Sequence, residues 1–158
     1  MHLMLHCKFK GKLLDKYLII AGEASGDQHG SRLMNSLNKI SDSEFIGIGG
    51  PQMIREGLLS LFSIDKMSVM GFTEIIKHLC FFRNVQTTIL NVINNQKINA
   101  VILIDYPGFN LRLAKKIKIN KNIPIIYYIS PQLWAWKEGR IKYVRKYIDK
   151  MLVIFPFE

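Results

Sequence analysis

The sequence predicts an α/β fold in which a doubly wound parallel sheet carries helices on both faces. Short apolar runs recur along the 158 residues, and they are continuous rather than alternating, as in strands that are covered on both faces. Stretches with helical periodicity lie between these runs. Because strand and helix alternate, right-handed crossovers are expected to join neighbouring parallel strands.

Five strands are predicted, at residues 17–21, 44–48, 100–104, 124–129 and 151–155. Helices are predicted over residues 26–40, 72–95 and 137–149, with a further one following Asn110. In the first helix, the residues expected to face the core are Leu33, Leu37 and Ile40. In the helix after Asn110 they are Leu111, Ala114 and Ile117, and in the last helix they are Ile141, Val144 and Ile148. Lys142, Arg145 and Lys146 are expected to face solvent.

Composition narrows the class of protein. Hydrophobic residues make up 49% and charged residues 22%, the profile of a folded globular domain. No apolar run approaches the roughly 18 residues needed to span a bilayer, and the basic amino terminus lacks the features of a secretory signal. Cys7 and Cys80 lie far apart without metal-ligand spacing, so we expect neither a disulfide scaffold nor a metal site, in a reducing cytoplasm.

The net charge of +10 is unevenly distributed. Residues 111–150 contain eleven Lys or Arg and two acidic residues, which accounts for nine of the ten excess positive charges. Such a patch attracts phosphates, acidic lipid head groups or nucleic acid. The alternative is a solvated basic face with no specific partner.

Ligands of parallel sheets bind beyond the carboxyl ends of the strands, so the residues after each apolar run are the candidate site. After the first strand, Glu23, Ser25 and Asp27 lie in a glycine-rich turn, where carboxylates suit sugar hydroxyls better than phosphates. The alternative is that Ser25 or Asp27 caps the following helix.

Asp105 follows the strand at 100–104, in a cleft that Tyr106 and Phe109 would line, where it could act as a general base. Otherwise it is a structural Asp of the Pro-Gly turn. After the next strand, Trp134 and Trp136 could stack on a sugar, flank an acyl chain, or simply pack at the sheet edge.

The stretch 67–83 contains more apolar residues than one core-facing stripe needs, and cations flank it. An interfacial membrane helix shows this pattern, and so does a fully buried helix. The membrane-contact candidates are Val69, Met70, Phe72, Ile76 and Leu79.

Six motifs in order resemble the lipid-A-disaccharide synthase family over residues 17–158. They are Ile20-Ala-Gly-Glu-Ala-Ser-Gly-Asp27, Gly47-Ile-Gly-Gly-Pro51, Val69-Met-Gly-Phe72, Ile104-Asp-Tyr-Pro-Gly-Phe-Asn110, Tyr128-Ile-Ser-Pro-Gln-Leu-Trp-Ala-Trp136 and Phe155-Pro-Phe-Glu158. The resemblance implies the Rossmann-like amino-terminal, acceptor-side domain of a GT-B glycosyltransferase. Residues 1–16 are expected to be a nonmatching extension, and the family's carboxyl-terminal UDP-binding half is expected to be absent.

The family's reaction joins UDP-2,3-diacylglucosamine to 2,3-diacylglucosamine 1-phosphate with inversion and release of UDP in lipid A biosynthesis. The resemblance therefore implies an acylated glucosamine phospholipid acceptor, a UDP-diacylglucosamine donor held by the other half, and an anionic membrane surface. UDP-sugar is a substrate, so no cofactor is implied. The implied location is cytoplasmic, peripheral on the inner membrane.

By the same resemblance Asp105 matches the family's essential aspartate, the proposed base that deprotonates the acceptor hydroxyl. Glu23 and Asp27 match acidic loop residues that contact hydroxyls and order the loop. The other positions that match cleft motifs are Ser25, Asn110, Ser130, Gln132 and Trp136. Two alternatives to the enzyme remain: a noncatalytic remnant or split-gene fragment that keeps fold and membrane contact, and a basic nucleic-acid-binding module.

Overall fold

A computed structural model describes residues 14–68, 75–129 and 139–153. The strands of these segments are β1 (Asp15–Ala21), β2 (Ser43–Gly49), β3 (Leu58–Ser63), β4 (Ala100–Ile104), β5 (Ile125–Tyr128) and β6 (Lys150–Leu152). The helices are α1 (Ala24–Asn38), α2 (Pro51–Arg55), α3 (Ile64–Ser68), α4 (Ile75–Asn95), α5 (Pro107–Asn120) and α6 (Gly139–Tyr147).

All six strands form one parallel sheet in the order β3-β2-β1-β4-β5-β6. This order is that of the Rossmann sheet, in which the chain reverses its direction of travel between β1 and β4. The predicted doubly wound α/β fold is confirmed. The reversal point matters for function because the loops leaving β1 and β4 turn to opposite faces there and open a crevice between them.

The sheet is covered on both faces, which explains why its central strands are continuously apolar. Leu18, Ile19 and Ile20 of β1 are completely buried, and residues of β4 are nearly so. One core joins β1 and β4 to α4 and α5, and the other joins them to α1 and α2. Each buried aliphatic side chain contributes about 1.5–3 kcal/mol to folding.

The sequence pattern did not predict β3 or the short helices α2 and α3. Strand β3 lies at the edge of the sheet, where Leu58 is buried but Leu59 is 64% exposed, so its apolar signal is mixed with serines. The turn before it depends on Gly57, whose φ of +96° is readily available only to glycine. The feature of the sequence that could have indicated this strand is the apolar run directly after Gly57.

Other boundaries and faces differ from the predicted ones. Helix α5 begins at Pro107 rather than after Asn110, because proline suits the first helical position. Ile40 lies beyond the end of α1 and is 80% exposed, while Met34 is the residue of α1 that is completely buried. Ile141 was wrongly predicted to be buried and is 36% exposed.

The core-facing residues of α5 were predicted correctly, since Leu111, Ala114 and Ile117 are all buried. The last predicted strand corresponds to β6, and residues 154–155 of that prediction lie outside the described residues. In the segments that the structure describes, no helix is both long and apolar enough to cross a membrane.

Candidate active site

The loops that leave β1 and β4 touch each other at the reversal point of the sheet. The ring of Tyr106, after β4, lies directly against Gly22, after β1, so that a Cβ at Gly22 would come within 2.6 Å of the ring. A residue with a side chain at position 22 would push the two loops apart. Glycine there lets the loop that carries Glu23 approach the loop that carries Asp105.

Asp105 has a backbone conformation that few non-glycine residues adopt. Its φ is +43° and that of Tyr106 is +49°, so two consecutive non-glycine residues have left-handed conformations. Such conformations cost on the order of 1–3 kcal/mol each and cluster at functional sites. The turn aims the chain from the end of β4 into the first turn of α5 while Asp105 remains partly buried at the edge of the sheet.

Three hydrogen bonds hold this turn in place. The Asp105 N–H donates to the carbonyl of Tyr128 at 3.2 Å. Its own carbonyl accepts from the hydroxyl of Tyr127, a completely buried residue, and from the side-chain amide of Asn110 at 2.7 Å. Asp105 is therefore fixed both to β5 and to α5.

Asn110 is completely buried, so its side chain contacts the turn from the protein interior and not from the cleft. Its Nδ2 donates to the carbonyls of Ile104, at 3.2 Å, and Asp105. Among the described residues its Oδ1 has no hydrogen-bond partner. Asn110 thus holds the end of β4, and its predicted contact with substrate stays a prediction.

Tyr106 and Glu23 form the second part of the crevice. Burial raises the pKa of the Tyr106 hydroxyl above its ordinary value, and the negative charge of Glu23 raises it further. The Glu23 carboxylate and the Tyr106 phenol thus interact electrostatically. Glu23 precedes α1 and is exposed, which leaves it accessible to a ligand.

Asp27 has a different environment from Glu23. It is 2% exposed, and its two carboxylate oxygens accept hydrogen bonds from the N–H groups of Gly50, Gln52 and Met53 at 2.8–3.0 Å. It thus caps α2, not its own helix as the capping alternative supposed. Of its two predicted roles, hydroxyl contact and loop ordering, this geometry serves the second.

The structure describes only some of the remaining predicted site residues. Ser25 is exposed in the first turn of α1. Of the membrane-contact candidates, Leu79 is described and 58% exposed, and Ile76 lies in α4 with its side chain outside the described set. The predicted residues outside the described segments are Val69, Met70, Phe72, Ser130, Gln132, Trp134 and Trp136.

His29 lies at this edge and was not among the predicted site residues. Its ring meets that of Tyr128 edge-on, with 6.3 Å between the ring centroids. The next residue, Ile129, has a φ of +69°, so the chain leaving β5 also turns through a left-handed conformation. In the sequence, His29 is marked only by its position two residues after Asp27. That position does not show that its ring faces β5.

The basic excess lies on α5 and α6, which pack side by side. Lys118 is neutralised by Asp149 at 2.7 Å. The cations that remain exposed on these two helices include Arg112, Lys142, Arg145 and Lys146. The described residues contain no group of three His, Cys, Asp or Glu side chains that could hold a metal ion.

Comparisons with known proteins agree with this architecture. The family model described as lipid-A-disaccharide synthetase matches residues 17–158. Proteins named lipid-A-disaccharide synthase are similar to the chain: synthase 1 of Legionella pneumophila strain Philadelphia 1 is 46% identical over 144 residues, and that of Alcanivorax borkumensis is 42% identical over 141 residues.

These matches cover 90% and 89% of the chain but only 38% and 37% of the two relatives, so the chain spans well under half of their length. A protein of Koribacter versatilis with the same name is 43% identical over 145 residues, with similar coverage. Because the family model covers nearly the whole chain, the chain belongs to the lipid-A-disaccharide synthetase family.

Proposed function

We propose that this chain forms the acceptor side of an inverting glycosyltransferase of lipid A biosynthesis. The reaction joins UDP-2,3-diacylglucosamine to 2,3-diacylglucosamine 1-phosphate and releases UDP. The observation that carries the proposal is the position of Asp105, fixed on a strained turn at the reversal point of a Rossmann sheet. Family membership supports the choice of substrates.

In the proposed step the Asp105 carboxylate accepts the proton of the acceptor's hydroxyl group. The hydroxyl oxygen attacks the anomeric carbon of the donor, the bond between that carbon and the UDP oxygen breaks, and UDP leaves with the electron pair. Attack opposite the leaving group inverts the anomeric configuration. A general base of this kind contributes about 10²–10⁴-fold to the rate.

The remaining residues of the crevice receive supporting roles in this proposal. Glu23 contacts hydroxyls of the acceptor sugar, and Tyr106 packs against the loop that carries Glu23. Asn110 positions Asp105, and Asp27 holds α2 against the loop that carries Glu23. The donor is proposed to bind to a second domain such as the relatives' additional length would provide.

We also propose that the protein binds peripherally to the cytoplasmic face of the inner membrane. The acceptor's acyl chains reside in a bilayer, so the site must reach the interface. The exposed Leu79 and the cations of α5 and α6 support this location. Apolar insertion and attraction of Lys and Arg to anionic lipids, at about 1 kcal/mol for each residue near the surface, would act together.

A chimera tests the proposed function. Residues 17–158 replace the matching segment of the Legionella pneumophila synthase 1, and UDP release is measured with defined donor and acceptor. Turnover that depends on both substrates is the expected result, because the acceptor-side residues are all supplied by this chain. A folded chimera without transfer would favour the noncatalytic remnant.

A further inference from the structure

A groove lies beside the candidate base, between α4 and α5. Its volume is about 280 Å³, and it is bordered by Leu79, Phe82 and Gln86 of α4 and by Tyr106, Gly108, Phe109 and Arg112 at the start of α5. Most of these side chains are apolar. Neither Glu23 nor Asp105 lines the groove, which shares only Tyr106 with the crevice described above.

Its long axis follows from helix geometry. Phe82 and Gln86 lie four residues apart on α4, as do Gly108 and Arg112 on α5, so the two positions on each helix are about 6 Å apart along its axis. The Phe109 ring packs against Phe82 at 5.5 Å between centroids and forms the floor. The groove therefore begins next to Asp105 and runs along the two helices.

Positive charge lies at the end of the groove away from Leu79. The Arg112 side chain is exposed, and it forms no ion pair with any residue that the structure describes. One turn further on, Lys116 donates a hydrogen bond of 2.6 Å to the Gln86 amide oxygen, which ties the two helices together at this end. An apolar channel with a cation beside it suits an amphiphile whose head is anionic.

We propose that this groove binds one acyl chain of the lipid acceptor, with the Arg112 guanidinium paired to the acceptor's anionic phosphate. The inference rests on the proposed function, which places the acceptor sugar at Asp105. At about 280 Å³ the groove is slightly smaller than usual small-molecule sites of about 300–1,000 Å³, which suits a single alkyl chain.

Gly108 allows the groove to be filled without disturbing the core. A Cβ built at this position meets nothing within 4 Å, and the residue lies in the first turn of α5. Gly108→Leu would place its side chain in the groove. Because the substitution removes a helical glycine, the thermal midpoint should not fall.

The test uses the full 158-residue chain and decyl phosphate below its micellar concentration, with binding measured by calorimetry. The parent should bind, and octyl phosphate should bind about tenfold more weakly because two methylenes are lost. Gly108→Leu should weaken binding of decyl phosphate at least tenfold. Ser36→Leu, which adds a leucine to the exposed face of α1, should bind as the parent does.

Arg112→Gln tests the contact with the anionic head group separately from the contact with the alkyl chain. It should weaken binding of decyl phosphate about tenfold, as expected for loss of a charge-assisted contact, and leave binding of 1-decanol unchanged. Arg32→Gln, an exposed arginine of α1, is the matched control. Inorganic phosphate alone should bind too weakly to measure.

Equal binding of decyl phosphate by the parent and a folded Gly108→Leu variant would overturn the proposal, as would no binding by the parent. Either result would leave the role of Asp105 untouched, because no reaction is measured. Conversely, groove binding together with an inactive chimera would retain the groove and reject the transferase.

Discussion

The side-chain amide of Asn110 donates a hydrogen bond of 2.7 Å to the backbone carbonyl of Asp105, five residues earlier in the chain. The same amide nitrogen also bonds the carbonyl of Ile104, the last residue of β4. One buried side chain therefore holds both the last residue of β4 and the residue that follows it. The residue that carries the proposed base is thus held by a completely buried side chain.

Asn110→Ala should destabilise the protein by about 2–3 kcal/mol, because two backbone carbonyls at a buried strand end lose their donor. Urea denaturation measures this loss. Asn120→Ala is the control: Asn120 also donates from Nδ2 to a carbonyl, that of Lys116 at 2.7 Å, but it is exposed and near the end of the same helix. Equal stability changes in the two variants would show that the Asn110 bonds do not hold the turn.

Gly22→Ala should disturb the crevice, since the new methyl group would lie 2.6 Å from the Tyr106 ring. We expect a loss of about 1–3 kcal/mol in the free energy of unfolding, as for overpacked cores. Gly108→Ala is the matched control, because a Cβ there has open space. Unchanged stability and unchanged Tyr106 resonances in Gly22→Ala would contradict the described contact between the two loops.

The pKa of Tyr106 measures the electrostatic effect of the Glu23 carboxylate. Burial raises the Tyr106 pKa, and the Glu23 carboxylate raises it further, so Glu23→Gln should lower the pKa toward the ordinary value without reaching it. NMR titration of ¹³C-labelled tyrosine measures the change. Since the folded pKa lies above the unfolded one, Tyr106 contributes stability that is complete below pH of about 10 and lost as pH rises through the folded pKa.

Glu56→Gln provides the control for that titration, because Glu56 bonds to Asn35 on the other side of the fold. It should leave the Tyr106 pKa in place. If Glu23→Gln also leaves it in place, the Glu23 carboxylate does not act across the crevice.

The sequence predicted the central strands because β1 and β4 are buried on both faces and therefore uniformly apolar. The position of Asp105 at the sheet's carboxyl edge followed from the end of β4. The partner of Asp27 could not be predicted, since the backbone amides it binds lie 23–26 residues away and depend on how α2 packs. The burial of Asn110 likewise depends on tertiary contacts that its motif does not encode.

Leu79→Ser should weaken binding to anionic vesicles about five- to tenfold, because an exposed leucine that enters the acyl region contributes on the order of 1–2 kcal/mol. Cosedimentation measures it, and binding by the parent should fall only partly at 1 M salt, where charge attraction is screened. Leu59→Ser removes a similarly exposed leucine from β3 and should have no effect. Equal binding by both variants would assign Leu79 no membrane contact.

The most direct test of the account is the rate of disaccharide formation by the Legionella chimera with Asp105→Asn. The exchange keeps the size of the side chain and the backbone bonds of the turn but removes the proton acceptor. We predict a loss of at least about 10²-fold in kcat, with the chimera still folded and its KM for the acceptor little changed. Turnover near that of the unmodified chimera would contradict the assignment of Asp105 as the base.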